Sequence, residues 1–374
     1  MSSHVKHYSS LHELEKSSFF RLRRKLCLVS PLALDFEHKH FLDRIAYHNL
    51  LGVDCFICLM DWHRSRSRSA VHAVRQLARR PSLVALVGQE SLTNPEHGQA
   101  EALSVRSLLR RTKAVEMFGY LDWDEWLVFT PEVFDTQRAG CHAVACQQAG
   151  TPTSIVPFLR SVLSPQHADA VYVHGWPFGS AAYRCLSSVQ LAAHPAPYWF
   201  DRRTLLPQGA NRTVSLERAC TGMLVPYGKM IGRVQSEWEL ANMHIWSRGR
   251  VVLPDRRPLT TRWPNLTDPC AVMPLSFNHY GGTPASCMAK ALHGWRTGNH
   301  RTVHECKQHL SFTGATSETN GRIKRGHQTF RDNAASASTL RDSSVSRYME
   351  ATRAHLIALF GPLAAHPAGD PSCT

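Results

Sequence analysis

The chain has 374 residues, 43% of them hydrophobic and 19% charged, a balance that excludes wholesale disorder, a collagen repeat and a disulfide-knot class. With 43 Lys and Arg against 29 Asp and Glu, the formal net charge is +14, which calls for anionic company: nucleic acid, an anionic membrane surface or a phosphate-bearing substrate. There is no apolar run of about 18 residues, so no membrane span is expected, and the opening residues, with His4, Lys6 and Glu13, do not read as a signal peptide.

In chain order, residues 1–20 are polar and read as a loose N-terminal extension. Leu26 to Val29 is a first strand. Phe36 to Leu51 carries Phe41, Leu42, Ile45, Leu50 and Leu51 at helical spacing, and Gly52 stops that helix. Val53 to Met60 is a second strand; its Cys55 and Cys58 read as core positions, because no second CxxC completes a zinc site. Ser65 to Arg80 is helical and ends at Pro81; Leu83 to Val87, a helix from Gln99 to Arg111, and a strand from Val115 to Leu121 follow. Between Trp62 and Arg80 lie Arg64, Arg66, Arg68, Arg75, Arg79 and Arg80 with no acid, which reads either as a solvated face or as an anion-attracting field. This alternation predicts parallel strands with covering helices, and ligands bind beyond the carboxyl ends of such strands.

Residues 140–300 are rich in Trp, Pro and His and suit a substrate-shaping half. From Arg301 onward the chain is Ser/Thr- and charge-rich, a tail with one helix over Val345 to Phe360. The 11 cysteines are odd in number and fall in no frame, which favours reduced thiols and leaves a few disulfides open.

The sharpest local feature is Tyr120-Leu121-Asp122-Trp123-Asp124-Glu125-Trp126-Leu127-Val128-Phe129. It sets three carboxylates between apolar flanks, which is costly unless a positive charge neutralises them. A divalent ion with oxygen ligands is one answer, and a merely acidic loop is the bland one.

Seven segments, in order over residues 25–300, resemble glycosyltransferase family 92 and its bacterial family 2 relatives. Phe41-Leu42-Asp43-Arg44-Ile45-Ala46-Tyr47-His48-Asn49-Leu50-Leu51-Gly52-Val53-Asp54-Cys55-Phe56 resembles "FLxEWxxYHxxLGVDHF". Asp61 with Ser65 stands where the family has "YDNxS", and Gln99-Ala100 where it has a Gln before a helix. Leu121 to Leu127 resembles "xDxDEFL", Trp176-Pro177-Phe178-Gly179-Ser180 resembles "WxxFGSSG", and Lys229-Met230-Ile231-Gly232-Arg233 resembles "KxIVRP", with His244 beyond. Asn278-His279-Tyr280, with Lys290 and Gly294, resembles the late "NHYxxKSxxEFxxKxxRG".

The resemblance implies an α/β fold of GT-A type, a Rossmann-like mixed sheet flanked by helices in a single large domain. Residues 21–300 would form it, with a nucleotide-sugar-binding half over 21–135 and an acceptor half over 136–300, between the 1–20 extension and the 301–374 tail. It implies a metal-dependent, inverting hexosyltransferase that takes a nucleotide-sugar donor and a glycan or other hydroxyl acceptor. Asp122, Asp124 and His244 would hold Mn2+ or Mg2+. Glu37, Asp61 and Gln99 would line the donor pocket; Trp176, Phe178 and Gly179 would shape the sugar or acceptor pocket. Lys229 and Arg233 would face the diphosphate, and His279 and Tyr280 would stand at the late edge of the site. The family's "KNE" is replaced around Asp35-Phe36-Glu37-His38, its Glu-Trp by Asp43-Arg44, and the Asn after its Asp by Trp62.

In-line attack by an acceptor hydroxyl needs a carboxylate base. Glu125 adjoins the acidic motif, and Asp201, Glu217, Glu237 and Glu239 are the alternatives in the acceptor half. Two competing readings are a catalytically impaired binding module of the same fold and a basic nucleic-acid-binding protein; the chain carries no RNP, zinc-finger or helix-turn-helix signature. Hydrolase and ATPase readings lack GxSxG and P-loop motifs. A cytoplasmic setting is expected, with a Golgi or membrane-associated one as the alternative.

Overall fold

The computed structural model describes residues 8–32, 41–60, 74, 76–77, 80–88, 95–123, 125–130, 152–164, 168–178, 202–204, 228–242, 245–259, 273–280, 339–341, 345 and 348–361. Side chains are described for these except at 32, 95–103, 176–178, 202–204, 240–242, 245–246, 279–280 and 339–341.

The first half is a run of strands and helices. Strand β1 (Arg24–Leu32) is followed by helix α2 (Phe41–Leu50), β2 (Cys55–Met60), β3 (Val84–Gly88), α3 (Pro95–Thr112) and β4 (Val115–Tyr120); a short helix α1 (Leu11–Glu15) and a 3-10 turn (Ser18–Arg21) precede β1. β1 pairs in parallel with β2 on one side and β4 on the other, and β2 with β3, so the spatial order is 3-2-1-4. Such a sheet is covered on both faces, which is why its strands read as unbroken apolar runs. In β1, Leu26 and Leu28 face one core, while Cys27 and Val29 face the other. The first core lies beneath α2, and the second beneath α1 and α3.

Helix α2 stops where the sequence requires. Gly52 has φ +92, which only glycine adopts without strain, and a Cβ there would lie 2.3 Å from Ser154 Oγ. The Val53 N–H returns to His48 O at 3.0 Å, closing the last turn.

The second half supplies β5 (Glu125–Phe129), α4 (Val156–Val162), β6 (Ala170–Phe178), β7 (Arg202–Thr204), β8 (Lys229–Arg233), β9 (Glu239–Asn242), β10 (Ile245–Arg248), β11 (Val251–Val252), β12 (Leu275–Tyr280), β13 (Thr339–Arg341) and α5 (Met349–Phe360). β8 lies antiparallel between β4 and β6. The far half of β6 runs parallel to β12, which is antiparallel to β5. The result is a mixed sheet flanked by helices, the arrangement expected for a Rossmann-like GT-A fold.

Three expectations change. The N-terminal extension is not loose over residues 8–20: Tyr8, Leu14 and Phe19 are buried, and Tyr8 bridges to Val87. Three well-spaced apolar side chains suffice to dock an otherwise polar segment. Within the 301–374 tail, β13 pairs with β7, and α5 packs on α2. Finally, Cys27 and Cys55 are disulfide-bonded rather than reduced; they are register partners on adjacent strands, with Cα atoms 4.4 Å apart. Cys58 is a buried free thiol, pushed up to about 12 by burial.

Candidate active site

β4 ends at Tyr120, and the chain turns through Asp122 into β5. The turn is closed twice: the Glu125 N–H donates to Asp122 O at 3.1 Å, and the Asp122 N–H donates to Glu125 Oε2 at 2.8 Å. Because β8 is antiparallel to β4, its first residue, Lys229, arrives at the carboxyl end of β4. Lys229 Nζ lies 2.6 Å from Asp122 Oδ2 and 3.3 Å from Glu125 Oε2. The Lys229 side chain is 0% exposed and that of Glu125 4%, whereas Asp122 retains 33%. Burial pulls the ammonium down, but the charges and hydrogen bonds of Asp122 and Glu125 outweigh it and raise Lys229 above its ordinary range. The positive charge that the acidic motif requires is therefore supplied, in part, by the chain itself.

The register gathers other expected residues at the same edge. His279 of β12 is paired with Glu125 and with Pro177, and Trp176 and Phe178 of β6 are paired with Asn278 and Tyr280. Gln99 lies in the second turn of α3, after β3. Arg233 is not among them. It sits at the other end of β8, beside Met117, and its Nη2 lies 3.1 Å from Asp169 Oδ1. Burial works against the Asp169 charge, but the hydrogen bonds of Arg250 and Arg233 hold the carboxyl below its usual range. Glu37, Asp61, Asp124, Gly179 and His244 lie outside the described residues.

Glu125 has an internal role. Its carboxylate accepts the Asp122 N–H and faces Lys229 in a buried setting, so it closes the turn. Glu237 and Glu239 follow the far end of β8, and Glu237 pairs with Arg248 there, remote from Asp122.

Sequence reasoning gave no role to α2, although Tyr47 and His48 fall on the "YH" of the motif. All three of Arg44, Tyr47 and His48 are buried and bind the β5 backbone. Arg44 Nε donates to Glu125 O at 3.1 Å, its Nη1 donates to Ser30 Oγ at 3.1 Å, and its guanidinium lies 4.5 Å over the Trp123 ring. Tyr47 Oη donates to Leu127 O at 2.7 Å. His48 Nε2 accepts from the Leu127 N–H at 3.1 Å, so its proton sits on Nδ1, 2.8 Å from Arg44 O. Burial first, then the Arg44 charge, hold this imidazole well below its usual range and keep it neutral. Helix α2 thus anchors the strand that carries Glu125.

Among the described residues no group of three or more His, Cys, Asp or Glu stands together. Asp122 is the one expected metal ligand described, and its carboxylate is partly exposed at the strand end. Lys229 Nζ takes Oδ2 of Asp122, and the Asp122 side chain keeps 33% of its exposure. Two clefts among the described residues lie at the opposite pole of the sheet. One, of about 320 Å³, is lined by Lys25, Gly52, Asp54 and Arg160; the other, of about 490 Å³, by Val162, Arg250, Val251 and Arg256.

No protein-family model matches the chain. No curated protein matches it either. Among solved structures, the chain is similar to S. aureus TarS, at 9% identity and a TM-score of 0.30, with 90% of this chain and 89% of that one covered. A second TarS structure, in complex with UDP-GlcNAc, is similar at 10% identity and the same TM-score of 0.30, with the same 90% and 89% coverage. A likeness this loose carries no argument about function.

Proposed function

We propose that this chain is a glycosyltransferase that moves a sugar from a nucleotide-diphosphate donor to a hydroxyl acceptor, with inversion, at the carboxyl ends of β1 to β4. The reading rests on the ordered motif resemblance and on the sheet order. The observation that carries it is the partly exposed Asp122 at the end of β4, backed by the buried Glu125–Lys229 pair.

Asp122, with Asp124, would hold a Mn2+ or Mg2+ ion, which when bound offsets charge on a departing diphosphate. Lys229 fixes Oδ2 of Asp122 at 2.6 Å. Glu125 fixes the turn through the Asp122 N–H. A carboxylate base would take the acceptor proton, with Glu125 the residue beside the motif and Asp201, Glu217, Glu237 and Glu239 the alternatives in the acceptor half. Trp176 and Phe178 suit the apolar face of a sugar ring.

The test is a panel of nucleotide-sugars with Mn2+ or Mg2+, read by thermal shift and by released nucleoside diphosphate. Asp122→Asn is expected to cut turnover by roughly a hundredfold or more while leaving the thermal transition near that of the parent. Undiminished turnover in this variant overturns the assignment. The ammonium beside both carboxylates favours a second reading, a binding module of the same fold. Nucleotide-sugar binding without hydrolysis or transfer across the panel would select it.

A further inference from the structure

The amino ends of the strands form a pole that the proposed transfer reaction does not use. Arg21, Leu22 and Arg23 end the 3-10 turn and lead into β1, and Lys25 follows; all four are exposed. The Arg24 N–H donates to Ala114 O at 2.7 Å, which sets this segment beside the exposed Arg110 and Lys113 at the end of α3. Two nearby acids among the described residues have partners. Glu15 pairs with Arg111 at 2.8 Å, and Asp54 accepts the backbone N–H groups of Lys25 and Leu26.

Leu22 stands among these cations at 55% exposure, and among the described residues Ile357 is the one other exposed large hydrophobic. It does not belong to a fraying end. Phe19 is buried, the Arg24 guanidinium lies 5.3 Å over its ring, and Arg24 Nη1 donates to Asp54 O at 3.1 Å. An anchored segment thus presents an exposed leucine in a stretch of exposed cations, on a chain of net charge +14.

We propose that this pole docks on an anionic phospholipid surface, with Leu22 entering the headgroup layer. Cations near such a surface are drawn to it within a Debye length, and a short apolar side chain gains by leaving water at the headgroup boundary. A nucleic acid would satisfy the cations but offers no apolar layer for Leu22. Among the described residues no helix is long and apolar enough to cross a membrane, so the contact is adsorption.

The test is co-sedimentation of the full chain with phosphatidylcholine vesicles, with and without a third of phosphatidylglycerol, at low and high salt. Binding is expected only with phosphatidylglycerol and is lost at high salt. The double substitution Arg21→Ser/Arg23→Ser should weaken partitioning roughly 30-fold. Leu22→Asn, which leaves the charge alone, should weaken it about tenfold. Absence of binding to the anionic vesicles, or equal binding to neutral ones, overturns the proposal without recourse to any variant. So does parent-like binding by either variant. Displacement from vesicles by duplex DNA, with Leu22→Asn indifferent, assigns the pole to nucleic acid instead.

Discussion

At the carboxyl ends of β1 and β4, Lys229 and Glu125 are packed away from water with Asp122 at their rim, whereas at the amino ends the side chains of Arg21, Arg23 and Lys25 stand in solvent. One sheet therefore holds charge in two regimes. In the first, each ion is tolerated only because its partner is in place, so removing one member exposes the full desolvation cost of the other. In the second, each cation is hydrated, contributes little to the fold and is left free to act on something outside it.

The contrast predicts a ranking of effects. Lys229→Met should cost about 3–5 kcal/mol in denaturant unfolding, because it strands a buried Glu125. Adding Glu125→Gln should recover part of that loss, and additive costs in the double variant would break the idea of a coupled pair. Next in size is pH. His174 is buried and held down to about 4, so only the unfolded chain gains a proton between about pH 6.5 and 4, and stability falls as pH falls through that window. His48 acts in the same direction. Asp43 opposes them: burial pushes it up to about 7, so the folded chain keeps a proton that the unfolded chain has lost above about pH 4, and stability falls as pH rises to 7. Removing the opposing group with Asp43→Asn should steepen the rise of the thermal midpoint between pH 4 and 6.5; an unchanged slope would count against this balance. Smallest is Arg21→Ser/Arg23→Ser, which should move unfolding stability by no more than about 0.5 kcal/mol. A larger loss would mean that the basic pole serves the fold.

The frame from β1 to β4 was legible because unbroken apolar runs, Gly52 and Pro81 are local signals. The acidic turn was legible as a place, since Asp122 follows a strand in a βαβ pattern. Its chemistry was less so. Lys229 lies 107 positions from Asp122, and their contact depends on β8 running antiparallel to β4, which no spacing encodes. The Cys27–Cys55 bond failed for the same reason: thiols on different strands become neighbours only once the register is set. Arg233 lies apart from Lys229 because a five-residue strand carries its two termini to opposite ends of the sheet. Nothing local marks Arg44 and His48, and only the approach of β5 makes them backbone partners.

That approach has a consequence for how the chain meets copies of itself. β5 pairs with β12 along one side, and on the other Tyr47 and His48 occupy the Leu127 carbonyl and amide while Arg44 takes the Glu125 carbonyl. An unfilled row of this kind is a template on which a foreign strand can add and aggregates can grow. With side chains of α2 seated there, the strand offers intruders no vacancy at those groups, and the acidic turn is shielded from being pulled into such growth.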